Sequence, residues 1–186
     1  MRINPTAHAL LAASLLMSGV SAMAAPTQVN GGTVHFKGEI VNAACAVSAD
    51  SSNQTVLLGQ YRSAKFKAAG DKTGLVPFTI KLQDCDTTVS TKASVAFSGV
   101  ADAVDPTVLA ISNIGGGASG AASGVGIEIA DSQGVVIVPN SGAFSTAKTL
   151  KDGDNILPLT ARYKSTAKDV TPGAADADAT FTMQYE

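Results

Sequence analysis

The chain has 186 residues, a formal net charge of -2, 15% charged and 45% hydrophobic residues, and no tryptophan. So small and balanced a charge does not indicate a nucleic-acid-binding or polybasic membrane-binding surface, because both favour clustered Lys and Arg. A surface this poor in charge indicates that a partner covers part of it.

Residues 1–24 have the organisation of a cleaved export signal. Arg2 gives a basic start, residues 8–20 carry no charge, and Ala22-Met23-Ala24 fits a small-x-small cleavage site. The apolar run is too short for a membrane span, and no later run approaches the necessary length of about 18 residues. We therefore predict an exported product without a membrane span.

Residues 25–38 form an arm with the chemistry of a strand. Gly32, Val34 and Phe36 alternate with polar residues, which is the period of a half-buried strand. Val29 precedes Gly31-Gly32, where a bulge would change its phase. The arm is either an ordinary first strand of the chain's own sheet or a free donor strand that completes another copy by strand addition.

Cys45 and Cys85 are the only cysteines. An even pair in an exported chain predicts a disulfide bond. A zinc site would need four ligands, and His35 is the only histidine after residue 24.

The rest of the chain, residues 39–186, reads as one domain of short strands separated by turns. The turn residues at 131–134 and 152–155 predict tight reversals, and residues 63–69 are the only helical turn that we expect. Strands at this spacing without a long helix predict an all-β antiparallel sandwich. The predicted strands are 39–47, 55–58, 76–82, 93–97, 108–112, 125–130, 135–138, 155–164 and 179–185.

The last predicted strand has the clearest alternation in the sequence. Apolar and polar residues alternate along it, which gives one apolar face and one face toward solvent. The apolar face consists of Ala179, Phe181, Met183 and Tyr185. The strand is either an ordinary paired strand or one side of a groove that another segment must fill.

Several motifs resemble catalytic or binding sites but lack the neighbouring elements or ligands that such sites need. Residues 115–120 have the glycine spacing of a dinucleotide-binding loop, but more glycine follows where a helix should begin. The acidic residues at 152–154 and 176–178 lack the other ligands of a calcium loop. His35 lies in the arm, which disfavours nucleophilic catalysis. We therefore predict no enzyme activity, no metal site and no cofactor.

Three stretches carry a family resemblance. They are Asn30-Gly31-Gly32-Thr33-Val34-His35-Phe36-Lys37-Gly38-Glu39 with the following Val41 to Val47, then Asp84-Cys85-Asp86-Thr87, and then residues 171–181. They resemble the major subunit of enterobacterial type 1 fimbriae over essentially the whole chain after residue 24. The resemblance includes that family's penultimate tyrosine, here Tyr185, and a glycine fourteenth from the end, here Gly173.

The resemblance implies an incomplete immunoglobulin-like sandwich with an open groove, for which the expected positions are Gly173, Phe181, Met183 and Tyr185. A periplasmic chaperone would lend the groove a strand, and an outer-membrane usher would exchange it for the arm of the next copy. The arm would place Gly32, Val34 and Phe36, with Val29, in the groove.

The expected function is that of a structural subunit in the shaft of an adhesive surface fimbria, in contact with copies of itself and with other pilins. The alternatives are a minor pilin, which adapts or terminates the fibre, and a secreted, self-contained sandwich that binds a carbohydrate or protein.

Overall fold

The computed structural model describes residues 26–116 and 120–186. The predicted signal segment and residues 117–119 of the glycine-rich run lie outside the described residues. Residues Ile40–Glu186 form one compact unit, and the described residues before them belong to a separate unit. Within the described ranges, no helix has the length and apolar character needed to cross a membrane.

The described residues contain eight strands, one α-helical turn and one 3-10 turn. These elements are β1 (Ala46–Val47), α1 (Ala49–Ser52), the 3-10 turn (Ser63–Lys65), β2 (Val76–Cys85), β3 (Lys92–Gly99), β4 (Leu109–Ala110), β5 (Val125–Asp131), β6 (Lys148–Thr149), β7 (Gly153–Ser165) and β8 (Ala179–Tyr185).

The strands form two antiparallel sheets, with the orders β1-β2-β7-β5-β4 and β6-β3-β8. The centre of the larger sheet is β7, which pairs with β2 on one side and β5 on the other. Alternate residues of β7, Leu157, Leu159 and Ala161, are buried, so one face of the strand supplies the core. The core joins both sheets, because Ile80 of β2 and Val95 of β3 are each fully buried in it. The predicted sandwich is confirmed.

Most of the predicted strands are present, and β8 has the predicted bounds. Of the two predicted turns, the one at 131–134 is present: the carboxylate of Asp131 accepts hydrogen bonds from the N–H groups of Gln133 and Val135 at 2.9 and 3.0 Å. An aspartate is favoured at such a turn because its side chain bonds the backbone a few residues ahead. The turn predicted at 152–155 was wrong, because β7 already begins at Gly153.

Three strand predictions were wrong in extent or existence, and a fourth, 108–112, was too long. Segment 39–47 is a strand only at Ala46–Val47, because residues 39–43 are exposed and have no sheet partner among the described residues. Segment 55–58 is not a strand: Leu58 packs against the core, but the described backbone pairs with no neighbour. Segment 135–138 is reduced to one bridge, between Val136 and Ala130.

The remaining differences are small. The predicted strand 108–112 is a strand only at β4, and the helical turn predicted for 63–69 covers only Ser63–Lys65. The sequence did not indicate α1 or β6, because elements of four and two residues are too short to show a period.

Candidate functional site: an open groove beside the last strand

The last strand, β8, lies at an edge of the smaller sheet and, within the described part of the chain, pairs only with β3. The register places Phe181 opposite Phe97 and Tyr185 opposite Ala93. The outer edge of β8 therefore offers backbone N–H and C=O groups that no other described strand pairs with.

The larger sheet has β1 at one edge and β4 at the other, and β1 is the edge that β8 contacts. The hydroxyl group of Tyr185 donates a hydrogen bond to the carbonyl oxygen of Cys45 at 3.2 Å, which links the two edges. Cys45 is in turn bonded to Cys85 at the end of β2, so the predicted disulfide is present. Burial raises the pKa of the Tyr185 hydroxyl, which keeps it protonated and able to donate at neutral pH.

The apolar side chains of β8 are only partly buried, although those of its partner strand are buried. Val95 and Phe97 of β3 are 0% and 7% exposed, whereas Phe181, Met183 and Tyr185 of β8 remain partly accessible. Phe181 packs against Phe97 with ring centroids 6.3 Å apart. The core thus covers these side chains of β3 fully and those of β8 only in part.

Further apolar side chains are in the same partly buried condition and pack against the same core. They come from both sheets and from the loops: Val47, Leu58, Phe78, Ile111, Tyr163 and Ala177. We call these six residues, together with Phe181, Met183 and Tyr185, the open apolar row. Sequence reasoning identified only the three members on β8. Phe78 could have been found from its alternation with Ile80 and Leu82, but the other five give no local signal.

Gly173 is not in the open apolar row. It lies in the segment before β8, which is bonded to residues 120–123: Ala122 donates its N–H to the carbonyl oxygen of Ala174 at 2.7 Å. A Cβ atom on Gly173 would lie 2.4 Å from the backbone nitrogen of Ala122, so this close backbone approach requires glycine.

Gly173 also lines a cleft of about 490 Å³ that includes Tyr61, Phe66 and Tyr163. The rings of Tyr61 and Tyr163 are 5.9 Å apart in an edge-on arrangement. The Tyr163 hydroxyl donates a hydrogen bond to the Ala175 carbonyl oxygen at 2.8 Å, which ties the strand β7 to the segment that leads into β8.

The predicted donor residues of the arm are all accessible. Val29, Val34 and Phe36 are 83%, 73% and 92% exposed. Gly32 has a φ of +119°, a conformation that residues with side chains rarely adopt, and its N–H donates to Oδ1 of Asn30 at 3.1 Å. Residues 26–39 contain no strand of their own.

A buried charge cluster lies outside the groove. Glu128 on β5 is 2% exposed, and its carboxylate contacts Lys72 at 2.9 Å and Arg162 Nε at 2.7 Å. Burial opposes ionisation of Glu128, but the hydrogen bonds from Lys72 and Arg162 outweigh it and hold the carboxyl pKa below its ordinary value. Among the described residues no group of His, Cys, Asp and Glu is arranged to hold a metal ion.

Two packed antiparallel sheets of this kind are the architecture of an immunoglobulin-like domain. The model of the family described as "Fimbrial protein" matches residues 34–186. The chain is 50% identical over 186 residues to the fimbrial subunit type 1 of Klebsiella pneumoniae, with 100% of both chains covered. It is 51% identical over 189 residues to the type-1 fimbrial protein A chain of Escherichia coli, again with 100% of both covered. The chain belongs to the fimbrial protein family.

Solved structures agree with this assignment. A chaperone-usher pilus, in a study of rod uncoiling, is similar with a TM-score of 0.69 and 31% identity over 87% of this chain and 100% of that one. The P pilus rod subunit PapA is similar with a TM-score of 0.65 and 27% identity, over 77% of this chain and 100% of that one. The protein is therefore a structural, non-enzymatic subunit of a surface fimbria. This decides against the self-contained binding module.

Proposed function

We propose that the chain forms the fimbrial shaft by donor-strand exchange, in which the arm of one copy, residues 25–38, fills the groove beside β8 of the next. The observation that carries this proposal is the state of β8, an edge strand with partly buried apolar side chains. A strand laid along this edge would pair its backbone groups and cover the open apolar row together.

The arm has the complementary properties. Its apolar side chains are in water in the single chain, with Phe36 92% exposed, and moving them into the groove would remove apolar surface from both partners. The donor and the acceptor are different surfaces of the same chain. Such a head-to-tail contact does not close on itself and generates a filament.

The spacing of the arm supports one register. Gly32, Val34 and Phe36 point to one face of an extended strand, whereas Val29 is an odd number of residues from Gly32 and points to the other. The turn made by Asn30 and Gly32 offers a place where the phase can change, as a bulge would require. We assign Gly32 to a shallow part of the groove.

Gly32→Leu tests this register. The variant should still fold as a chaperone-bound subunit, since the groove belongs to other residues, but it should polymerise slowly or not at all because the added side chain overfills the pocket. Thr33→Leu, on the opposite face, is the matched control. Equal polymerisation rates for the two variants would show that the register is wrong.

The same groove would require a periplasmic chaperone and an outer-membrane usher. Before assembly, the partly buried side chains of the open apolar row would leave apolar surface accessible, which favours aggregation. A chaperone strand would cover it, and an usher would bring the arm of the next subunit into position to replace that strand. Other pilins of the same fimbria would use the same contact.

The decisive experiment makes the contact intramolecular. A chain that begins at Glu39 should be unstable alone. Appending a copy of residues 27–38 after Glu186 through a short flexible linker should fill the groove at an effective concentration of about millimolar or more. We expect a monomer that melts far above the arm-less chain and does not polymerise, as measured by thermal unfolding and size-exclusion chromatography. A well-folded arm-less monomer that the appended strand does not stabilise would refute the proposal.

A further inference from the structure

Asn30-Gly31 is the only Asn-Gly dipeptide in the sequence, and it lies in the arm. Both residues are exposed and belong to no strand or helix. No heavy atom outside the neighbouring residues lies within 4 Å of the position that a Cβ of Gly31 would take. The peptide nitrogen of Gly31 therefore has an unobstructed approach to the side chain of Asn30.

An exposed Asn-Gly pair can react with itself without an enzyme. The backbone nitrogen of Gly31 attacks the amide carbon Cγ of Asn30, the new C–N bond closes a five-membered succinimide ring, and the amide nitrogen leaves as ammonia with the proton from Gly31. Water then opens the ring. The product is an aspartate, or an isoaspartate whose main chain runs through the former side chain.

One contact in the arm favours the first step. The N–H group of Gly32 donates a hydrogen bond to Oδ1 of Asn30 at 3.1 Å. When the nitrogen of Gly31 adds to Cγ, negative charge develops on that oxygen, and a donor already aimed at it stabilises the charge. We propose that Asn30 is a self-deamidation site that ages the arm of a subunit not yet assembled.

The described part of the chain contains natural controls. The side-chain amide of Asn140 accepts a hydrogen bond from the backbone of Gly99 and donates another to it. The side-chain amide of Asn155 is held in the same way by the backbone of Lys151. Asn53 is exposed like Asn30 but is followed by Gln54, whose side chain hinders ring closure. Exposure alone therefore does not distinguish Asn30 from Asn53, but the glycine that follows Asn30 does.

The consequence for assembly rests on the proposed function. Either product replaces the neutral side chain of Asn30 by a negative charge, between Val29 and Gly32, where the arm would enter an apolar groove. The isoaspartate also lengthens the main chain by one methylene between Val29 and Gly32. Gly32, Val34 and Phe36 keep their mutual spacing, but Val29 loses its register with them.

Assembly should protect the site. In a donor strand, ladder hydrogen bonds before and after the bulge at residues 30–32 would fix the backbone between them, and the nitrogen of Gly31 could no longer fold back onto Cγ. Deamidation should therefore accumulate in unassembled subunits and be nearly absent in fibres.

The test compares unassembled protein from the periplasm with fibres sheared from the same cells. Both pools are incubated at mildly alkaline pH in heavy-oxygen water, digested, and analysed by mass spectrometry for label at residue 30. Gly31→Ala is the matched variant, because the space at Gly31 accepts a Cβ and its φ is not in the left-handed region. Asn53 is the internal control.

We expect label at Asn30 in the unassembled wild type, little in Gly31→Ala, little at Asn53, and little at Asn30 in fibres. Aged wild-type subunits should lose the ability to join fibres in proportion to the labelled fraction, whereas aged Gly31→Ala should retain it. Label at Asn30 no greater than at Asn53 in unassembled protein would overturn the modification site. Equal labelling of fibres and unassembled protein would overturn protection by assembly and would count against the proposed donor strand.

Discussion

Replacing Phe36 by alanine should weaken the contact between subunits without affecting the fold of the subunit itself. Phe36 is 92% exposed, so the folded domain gains almost nothing from its ring. Under the proposed donor-strand exchange, the ring becomes one of the main apolar groups that fill the groove.

The size of the effect follows from the exposed area. A buried phenylalanine removes about 150–250 Å² from water, and nearly all of it is available because the ring is so exposed. At about 25 cal/mol per Å², 150 Å² corresponds to about 4 kcal/mol. The alanine methyl group retains part of this stabilisation. We therefore expect Phe36→Ala to weaken the contact by about 3 kcal/mol, near the lower end of the range for Phe→Ala in protein cores. That is a factor of about 100 in the equilibrium constant.

The assay uses the self-complemented monomer, in which the appended copy of the arm carries the change. Urea denaturation gives the free energy of unfolding with the original arm, with Phe36→Ala and with His35→Ala. His35 is the adjacent residue on the opposite face of the arm, and we expect its change to stay within about 0.5 kcal/mol, as for ordinary surface substitutions.

Two results would refute this reasoning. If Phe36→Ala and His35→Ala lower the free energy of unfolding equally, the face assigned to the groove is wrong. If Phe36→Ala lowers the stability of the domain when the arm is absent from the groove, the ring has a structural contact within its own subunit.

Three further predictions concern the domain. Replacing Cys45 and Cys85 by serine should lower the free energy of unfolding by about 4 kcal/mol, from the loop that the disulfide closes; urea denaturation that shows no difference would contradict this. Gly173→Ala should lower the free energy of unfolding by about 1–3 kcal/mol, and with it the melting temperature, because the added Cβ clashes with the facing backbone. Gly74→Ala, with open space around it, should not; equal melting temperatures would contradict the close approach. Because the folded-state pKa of Glu128 is depressed, its ionisation stabilises the fold above the unfolded pKa of about 4.3, and this stability is lost as pH falls through the folded pKa. Glu128→Gln should therefore lower the free energy of unfolding by about 1–3 kcal/mol at neutral pH, and by progressively less below a pH of about 4. If the difference in stability between the variant and the wild type does not change with pH, the ion pairs do not stabilise the fold.

The sequence by itself determined the strand β8 and the disulfide. The alternation from Ala179 to Tyr185 predicts a strand with one wet face, because a period of two places alternate side chains on opposite sides of a sheet. Two cysteines in an exported chain predict a disulfide bond between them. Both inferences need only local pattern and composition.

Only the tertiary structure decided which apolar side chains are left partly buried. Val47, Leu58, Ile111 and Tyr163 belong to the open apolar row, but nothing near them in the sequence separates a partly buried side chain from a fully buried one. The burial of Glu128 was also decided by the tertiary structure. All residues of its strand are buried, and nothing in the sequence singled out this charged residue.

The segment 39–47 shows why the sequence could not decide these points. It has strand-like composition, yet only Ala46–Val47 pairs with a neighbour. A strand needs a partner to satisfy its backbone hydrogen bonds, and a side chain is buried only when distant parts of the chain pack on it. Pairing and burial are relations between segments far apart in sequence, so they are decided when the two sheets come together.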